Sequence, residues 1–545
     1  MRSLPRVFVL ALVAHVAHAD NIAARPVEFR VTGGTPAARA EFQRGILALH
    51  SFWYEEARAR FAAAVQADPT FAMGRWGLAF SQIELLWFED DLPAARDSLA
   101  KITAVDKLSP RERAWIDATR TLAGAGNQLA RRKAFAEALA RMHRDDPDDD
   151  EIASFYALAL LASTSPVDPD ELAMRGRAGG LAMQVFLRSP RHPGAAHYLI
   201  HALDTPELAP LALPAAQVYA GIAPEAYHAR HMPAHIFSRL GLWGDALKSC
   251  QSAWEVSATA AASARHGSDA KDFHSQSWIM EIDFQLGRRK DAEASLKLYG
   301  DEVRGGLGRL WRSGYADEVA RFIELTQEWD RVDELLAPLS APVPKADAGA
   351  HVHGATDLEK IPFDLFEKEG VLDARLAAAA GRRDAATLEQ LLADWDRVDD
   401  QLRAFREHQS GKEDYARHIT LHALRRQRLL ARAAGDDVAL LDALRKTAEI
   451  VDKRPSGEEA IFDGGVHELI ADALLRLKRG KEALTEYQIV LRRHLRYARG
   501  LLGAARAAAA AGDATAAKGY YAQVVDVWAN ADADMPGLAE ARAAR

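Results

Sequence analysis

Six of the chain's 19 histidines, His192, His197, His201, His228, His231 and His235, fall between residues 192 and 235, where an even scatter over 545 residues would place about one or two. His266 and His274 follow. A neutral imidazole nitrogen is the commonest protein ligand for a metal ion, and imidazole-only ligation suits zinc, copper, nickel or iron. His197 and His201 stand four apart, one helical turn, so both rings leave the same face. His228, His231 and His235, at i, i+3 and i+7, form a second stripe. Asp204, Glu225, Glu281 and Asp283 are carboxylates near enough in sequence to ligate, or to orient a ring from behind. If such a site is catalytic, an open coordination position would hold a water of lowered pKa. His197-Tyr198-Leu199-Ile200-His201 has the spacing of a zinc-protease helix but lacks the glutamate that serves as its base, which disfavours a protease of that kind. Pro233 cannot donate to the carbonyl of Ala229, so the second stripe either starts a fresh helix or kinks there. His192 precedes Pro193 at a helix entrance and ranks below the others.

Helices must hold these rings, and the sequence supplies them as repeats. From Phe42 to Met73, Ala57, Phe61, Ala64 and Pro69 are spaced as in the second helix of a tetratricopeptide repeat, with small residues where two helices cross and a large one filling the gap. Gly77 and Ala79 allow close approach in the next helix. The same grammar returns with Gly241, Ala246 and Cys250, and with Gly287 and Ala292. Near the C-terminus it places Ala483 four residues before Tyr487 and Ala516 four before Tyr520. More degenerate helical pairs cover 128–163 and 372–435, and strand patterning is almost absent. The expectation is an all-α, TPR-like α-solenoid, a right-handed superhelix of antiparallel helix pairs. His228 lies 13 residues before Gly241, and His274 lies 13 before Gly287. Both therefore take the same place on the first helices of successive repeats. Such helices pack ~8–10 Å apart, close enough for their rings to share an ion at ~2.0–2.1 Å. The expected ligand set is His197, His201, His228, His231, His235 and His274.

The remaining features bound the reading. Arg2 and Arg6, an apolar run from Val7 to Val16 and Ala17-His18-Ala19 describe a secretory signal peptide over 1–19, cut after Ala19. The expected location is secreted or periplasmic, with no membrane insertion after cleavage. A TPR-like block over 34–336 is followed by a Pro/Ala/Gly-rich loop or linker at 337–358 and a second block over 359–534. The single cysteine, Cys250, cannot form an internal disulfide, so stability rests on burial by the 49% hydrophobic residues. A net charge of −8, without a basic stripe, argues against nucleic acid as a partner. His418 and His422 repeat the four-residue spacing but read as a surface or interface pair, and His467 as a capping or interface residue. His351 and His353 lie in the linker. The acid run Asp145–Glu151 suits a helix N-terminus and lacks the glycine and terminal glutamate of a calcium loop. Of Trp53, Trp76, Trp87, Trp243 and Trp278, most belong to the core.

The segments "LHSFWYEEARARFAAAVQADPTFAMGRWGLA", "HPGAAHYLIHALD", "YHARHMPAH", "HELIADALLRLKRGKEALTEY" and "ARGLLGAARAAAAAGD" together resemble a group of exported bacterial tetratricopeptide-repeat proteins. The resemblance spans most of the chain after the leader. It implies the repeat fold and export, and hands over no mechanism. Two functional readings follow from the residues. One is a histidine-ligated transition metal in the concave groove, in a metal-binding protein or a metalloenzyme of unknown substrate. The other is a scaffold that holds a peptide or protein segment in that groove, its histidines being buried hydrogen-bonding partners.

Overall fold

The computed structural model describes residues 28–87, 89–103, 105–164, 170–263, 268–343, 361–453 and 465–545. The predicted leader lies outside the described residues, as do His351, His353 and most of the Pro/Ala/Gly-rich segment. The chain forms two compact units, one of residues up to Asp204 with Leu208–Ile236, the other of Thr205–Glu207 with Phe237–Arg545. The first holds α1 (Pro36–His50), α2 (Tyr54–Ala67), α3 (Ala72–Phe80), α4 (Leu92–Ala100), α5 (Pro110–Leu122), α6 (Gln128–Asp145), α7 (Asp150–Ala162), α8 (Glu171–Arg188), α9 (Pro193–Leu203), α10 (Ala209–Ile222) and α11 (Tyr227–His231). The chain crosses to the second unit within α12 (Pro233–Arg239) and continues through α13 (Trp243–Ser263), α14 (Phe273–Gln285), α15 (Arg289–Arg304), α16 (Arg309–Thr326) and α17 (Val332–Leu336). It ends with α18 (Phe363–Arg382), α19 (Ala385–Ala434), α20 (Asp437–Val451), α21 (Gly465–Arg476), α22 (Gly480–Arg493), α23 (Ala498–Ala510), α24 (Ala514–Val527) and α25 (Leu538–Ala544). The fold is all-α and TPR-like, with successive helices packed on one another. Among the described residues the one departure is a two-residue antiparallel pairing, Ile83–Glu84 with Glu89–Asp90. No described helix is long and apolar enough to cross a membrane.

Local chemistry sets the helix ends. Thr35 caps α1 by accepting the Ala38 N–H, and Pro36 takes the first-turn position where a missing N–H costs nothing. Ser109 and Glu112 form a reciprocal capping box at α5. Gly241 and Gly287 both sit at positive φ, +67° and +71°, where the chain turns between paired helices. Between helices the expected repeat packing is present. Ala57, Phe61 and Ala64 are fully buried, and a Cβ on Gly77 would come within 2.4 Å of the Phe61 ring. Ala246, Cys250 and Ala292 are buried as anticipated. The last repeat is the exception. Ala517 and Tyr521 take the buried small and large positions, one residue beyond Ala516 and Tyr520. Asp513 accepts the Ala516 N–H, which holds Ala516 in the first turn of α24 and rotates the next residue into the core.

Two sets of histidines in the second unit pair with carboxylates. The backbone is helical throughout α19, yet His418 Nε2 lies 2.7 Å from Asp399 Oδ1. Nineteen residues would span about 28 Å of straight helix, so α19 bends sharply between them. Asp399 also pairs with Arg406, and His422 bonds Asp396 while its ring stacks on Trp395. His467 on α21 bridges Glu486 (2.6 Å) and Asp452 (3.1 Å), and the Glu486 carboxylate foremost raises its pKa above 6.5. Below pH 6.5 this ring is charged folded or unfolded, and its ion pairs stabilise fully. That contribution is lost as pH rises through the raised folded value. Thermal unfolding of the chain and of its His467→Gln variant should therefore differ most at mildly acidic pH and converge at alkaline pH. A difference that grows with pH would contradict this.

Candidate metal centre

The sequence "HPGAAHYLIHALD" builds one wall of the site. His192 caps α9 by accepting the Ala195 N–H on Nδ1 at 3.2 Å, and Pro193 occupies the first turn. One turn apart on the buried face of this helix, His197 and His201 bring their Nε2 atoms to 3.0 Å. The facing ring comes from α11. His228 Nε2 lies 3.1 Å from His197 Nε2, and ligand atoms of the three rings all lie within 4.8 Å of one another. Three nitrogens about one zinc-like ion at ~2.0–2.1 Å in tetrahedral geometry would stand about 3.3 Å apart.

Pro233 determines what happens to the second stripe. α11 ends at His231, and α12 starts afresh at Pro233, so the stripe of His228, His231 and His235 is divided. His228 turns to α9, whereas His231 and His235 bring their Nε2 atoms to 3.1 Å of each other. His235 Nδ1 donates to Asp204 Oδ2 at 3.0 Å, the second-sphere role open to that carboxylate from its position after α9. Within the first unit, His197, His201 and His228 thus come together, and His231 lies against His235. His274 lies in the second unit, exposed in the first turn of α14, with its ring against Trp278.

The His197 proton is placed by its partner. His197 Nδ1 lies 2.6 Å from the main-chain carbonyl oxygen of His50, which can only accept, so the proton sits on Nδ1 and the lone pair on Nε2. Burial foremost, and then the neighbouring His201 and His228, hold the His197 pKa well below its usual value, keeping the ring in the neutral form that metals bind. One Nε2 lone pair can accept one N–H···N bond, yet two ring nitrogens approach it at 3.0 and 3.1 Å. Three imidazole nitrogens so placed could each offer a lone pair to one cation.

Aromatic rings close the His197 side. Phe52 lies against His197, His201 and His228 at centroid distances of 4.3, 5.6 and 5.5 Å, and Tyr219 stacks on His197. Phe52 adopts φ +54°, a left-handed conformation costly for a bulky side chain and held here by packing. Trp87, unlike the buried Trp76, Trp243 and Trp278, is 42% exposed, and its ring meets His228 edge-on. Sequence reasoning did not find Phe52, His50 or Glu151. His50 and Glu151 form a second buried group with His192, in which the His50 ring bonds Glu151 at 2.8 Å. Glu151 sits in the acid run read as a helix start. That reading holds for Asp149, which caps α7, but Glu151 points into the interior.

No protein-family model matches the chain, and neither does any curated protein. Among solved structures, it is similar to yeast Tom70, at 13% identity over 93% of this chain and 95% of that one, with a TM-score of 0.32. It is also similar to the human IFIT1 dimer with m7Gppp-AAAA, at 13% identity over 84% and 90% of the two chains, with a TM-score of 0.33. At these values the likenesses assign neither partner nor activity.

Proposed function

We propose that this chain is an exported metal-binding repeat protein that holds one transition-metal ion on His197, His201 and His228 through their Nε2 atoms. The observation that carries the reading is the His197 ring, whose Nδ1 proton is committed to the His50 carbonyl while two further imidazole nitrogens crowd its single Nε2 lone pair. Zinc, copper, nickel and iron all suit three imidazoles. The proposal is confined to the triad, whose three residues all lie in the first unit. Export is supported by the basic, then apolar, then Ala17-His18-Ala19 pattern of the first residues.

The test is titration of chelator-stripped full-length protein with cobalt(II), followed by its visible d–d absorption. The expected result is an intense tetrahedral-type spectrum that saturates at one equivalent and is displaced by zinc. A spectrum indistinguishable from that of the aqueous ion would remove the proposal.

A further inference from the structure

Beside the triad, His50, Glu151 and His192 bring their ligand atoms within 4.8 Å of one another, all three side chains buried. Two histidines and a carboxylate could hold a metal ion, but the helix cap made by His192 commits one of its nitrogens. Ala195 N–H occupies the His192 Nδ1 lone pair, which places the ring proton on Nε2, facing Glu151 Oε1 at 3.5 Å. A nitrogen that carries a proton must give it up to ligate. The Glu151 carboxylate can only accept, which places the His50 ring proton on Nε2 and leaves His50 Nδ1 to accept the Tyr198 hydroxyl at 2.9 Å. His50 Nε2–H then donates to Glu151 Oε2 at 2.8 Å. Glu151 is thus a buried carboxylate that faces an N–H from each of two rings.

The group leads to His197. His50 is the last residue of α1, so its carbonyl is one of the helix-end acceptors without a helical donor. That carbonyl takes the His197 Nδ1 proton at 2.6 Å. The ring of the same residue is locked on every side. Glu151 and Tyr198 bond its two nitrogens, Phe155 stacks on it at 4.5 Å, and Gly194 leaves the space it fills.

We infer that Glu151 is a positioning residue for a ligand it does not touch: by anchoring the His50 ring it fixes the carbonyl that sets the tautomer and rotation of His197. This rests on the metal reading above. Glutamine at 151 keeps the shape but offers one acceptor and one donor to two ring N–H groups, so His50 loses its anchor.

The experiment measures zinc affinity and the cobalt(II) spectrum of full-length wild type, Glu151→Gln and Tyr198→Phe. Thr119→Val serves as a stability control, since it removes the partner of Trp76 Nε1 elsewhere in the same unit. Glu151→Gln should bind zinc about 10–100-fold more weakly, as loss of an orienting partner does, with altered cobalt bands. Tyr198→Phe should shift affinity in the same direction by less, and it reports should Glu151→Gln fail to fold. Thr119→Val should lower the melting temperature and leave zinc affinity unchanged. Wild-type affinity and spectra in both Glu151→Gln and Tyr198→Phe, beside a wild type that binds, would overturn this inference and leave the metal reading standing. Affinity lost equally in Thr119→Val would assign the effect to stability and overturn it too. A wild type that binds neither metal would remove both.

Discussion

His197→Ala should abolish the zinc-dependent stabilisation of this protein. A ligand that binds only the folded state at ~1,000 times its dissociation constant raises stability by about 4 kcal/mol. Wild-type protein should therefore melt at a clearly higher temperature with zinc than with chelator. His197 is fully buried, contacts both other triad nitrogens and holds its Nδ1 proton on the His50 carbonyl. Its removal takes away a ligand and the ring that meets the other two at 3.0 and 3.1 Å. The loss should exceed the ~10–100-fold typical of an orienting partner. Calorimetry with and without zinc gives the answer. Equal zinc-induced shifts in wild type and His197→Ala would show that the stabilising ion sits elsewhere.

Gly194→Ala should be nearly as damaging, although it changes one hydrogen into a methyl group. The new Cβ would lie 2.3 Å from His50 Nδ1, 2.6 Å from its Cε1 and 3.0 Å from Tyr198 Cε2. Both rings are fully buried and hydrogen-bonded to each other, so neither has a loose end that can move aside. Overpacking of this kind typically costs ~1–3 kcal/mol. Here it should also weaken zinc binding, because displacement of His50 carries the carbonyl that holds His197. Gly503→Ala provides the comparison. Its Cβ would lie 2.1 Å from Tyr487 Cζ in the second unit, remote in sequence from every triad residue. Denaturant unfolding should show both variants destabilised, and only Gly194→Ala should lose zinc affinity. A Gly194→Ala protein with undiminished zinc affinity would refute the link between His50 and the metal.

What the sequence made legible follows the range over which its signals act. Ala57, Phe61, Ala64 and Gly77 reveal a repeat because helix packing is periodic and local. His197 and His201 reveal one face because they share a helix. Asp204 was a recognisable partner for a ring because it lies near the histidines in sequence. The final repeat slipped by one residue because "AAAAAGDATAAKGYY" offers alanines and tyrosines at neighbouring positions, and only the Asp513 cap fixes the rotation. Pro233 marked a break, but sequence alone left open which rings it would part. His50 lies 147 positions from His197 and 101 from Glu151, and no periodicity links residues that meet only after folding. The left-handed backbone of Phe52 had no signal either, since such a conformation is usually announced by glycine or asparagine.

Elemental analysis of the protein produced from its full-length sequence and dialysed against a weak chelator tests the central claim most directly. The account predicts about one equivalent of zinc, copper, nickel or iron per chain, lost on substitution of His197. Wild-type protein that is folded and carries none of these metals would contradict it.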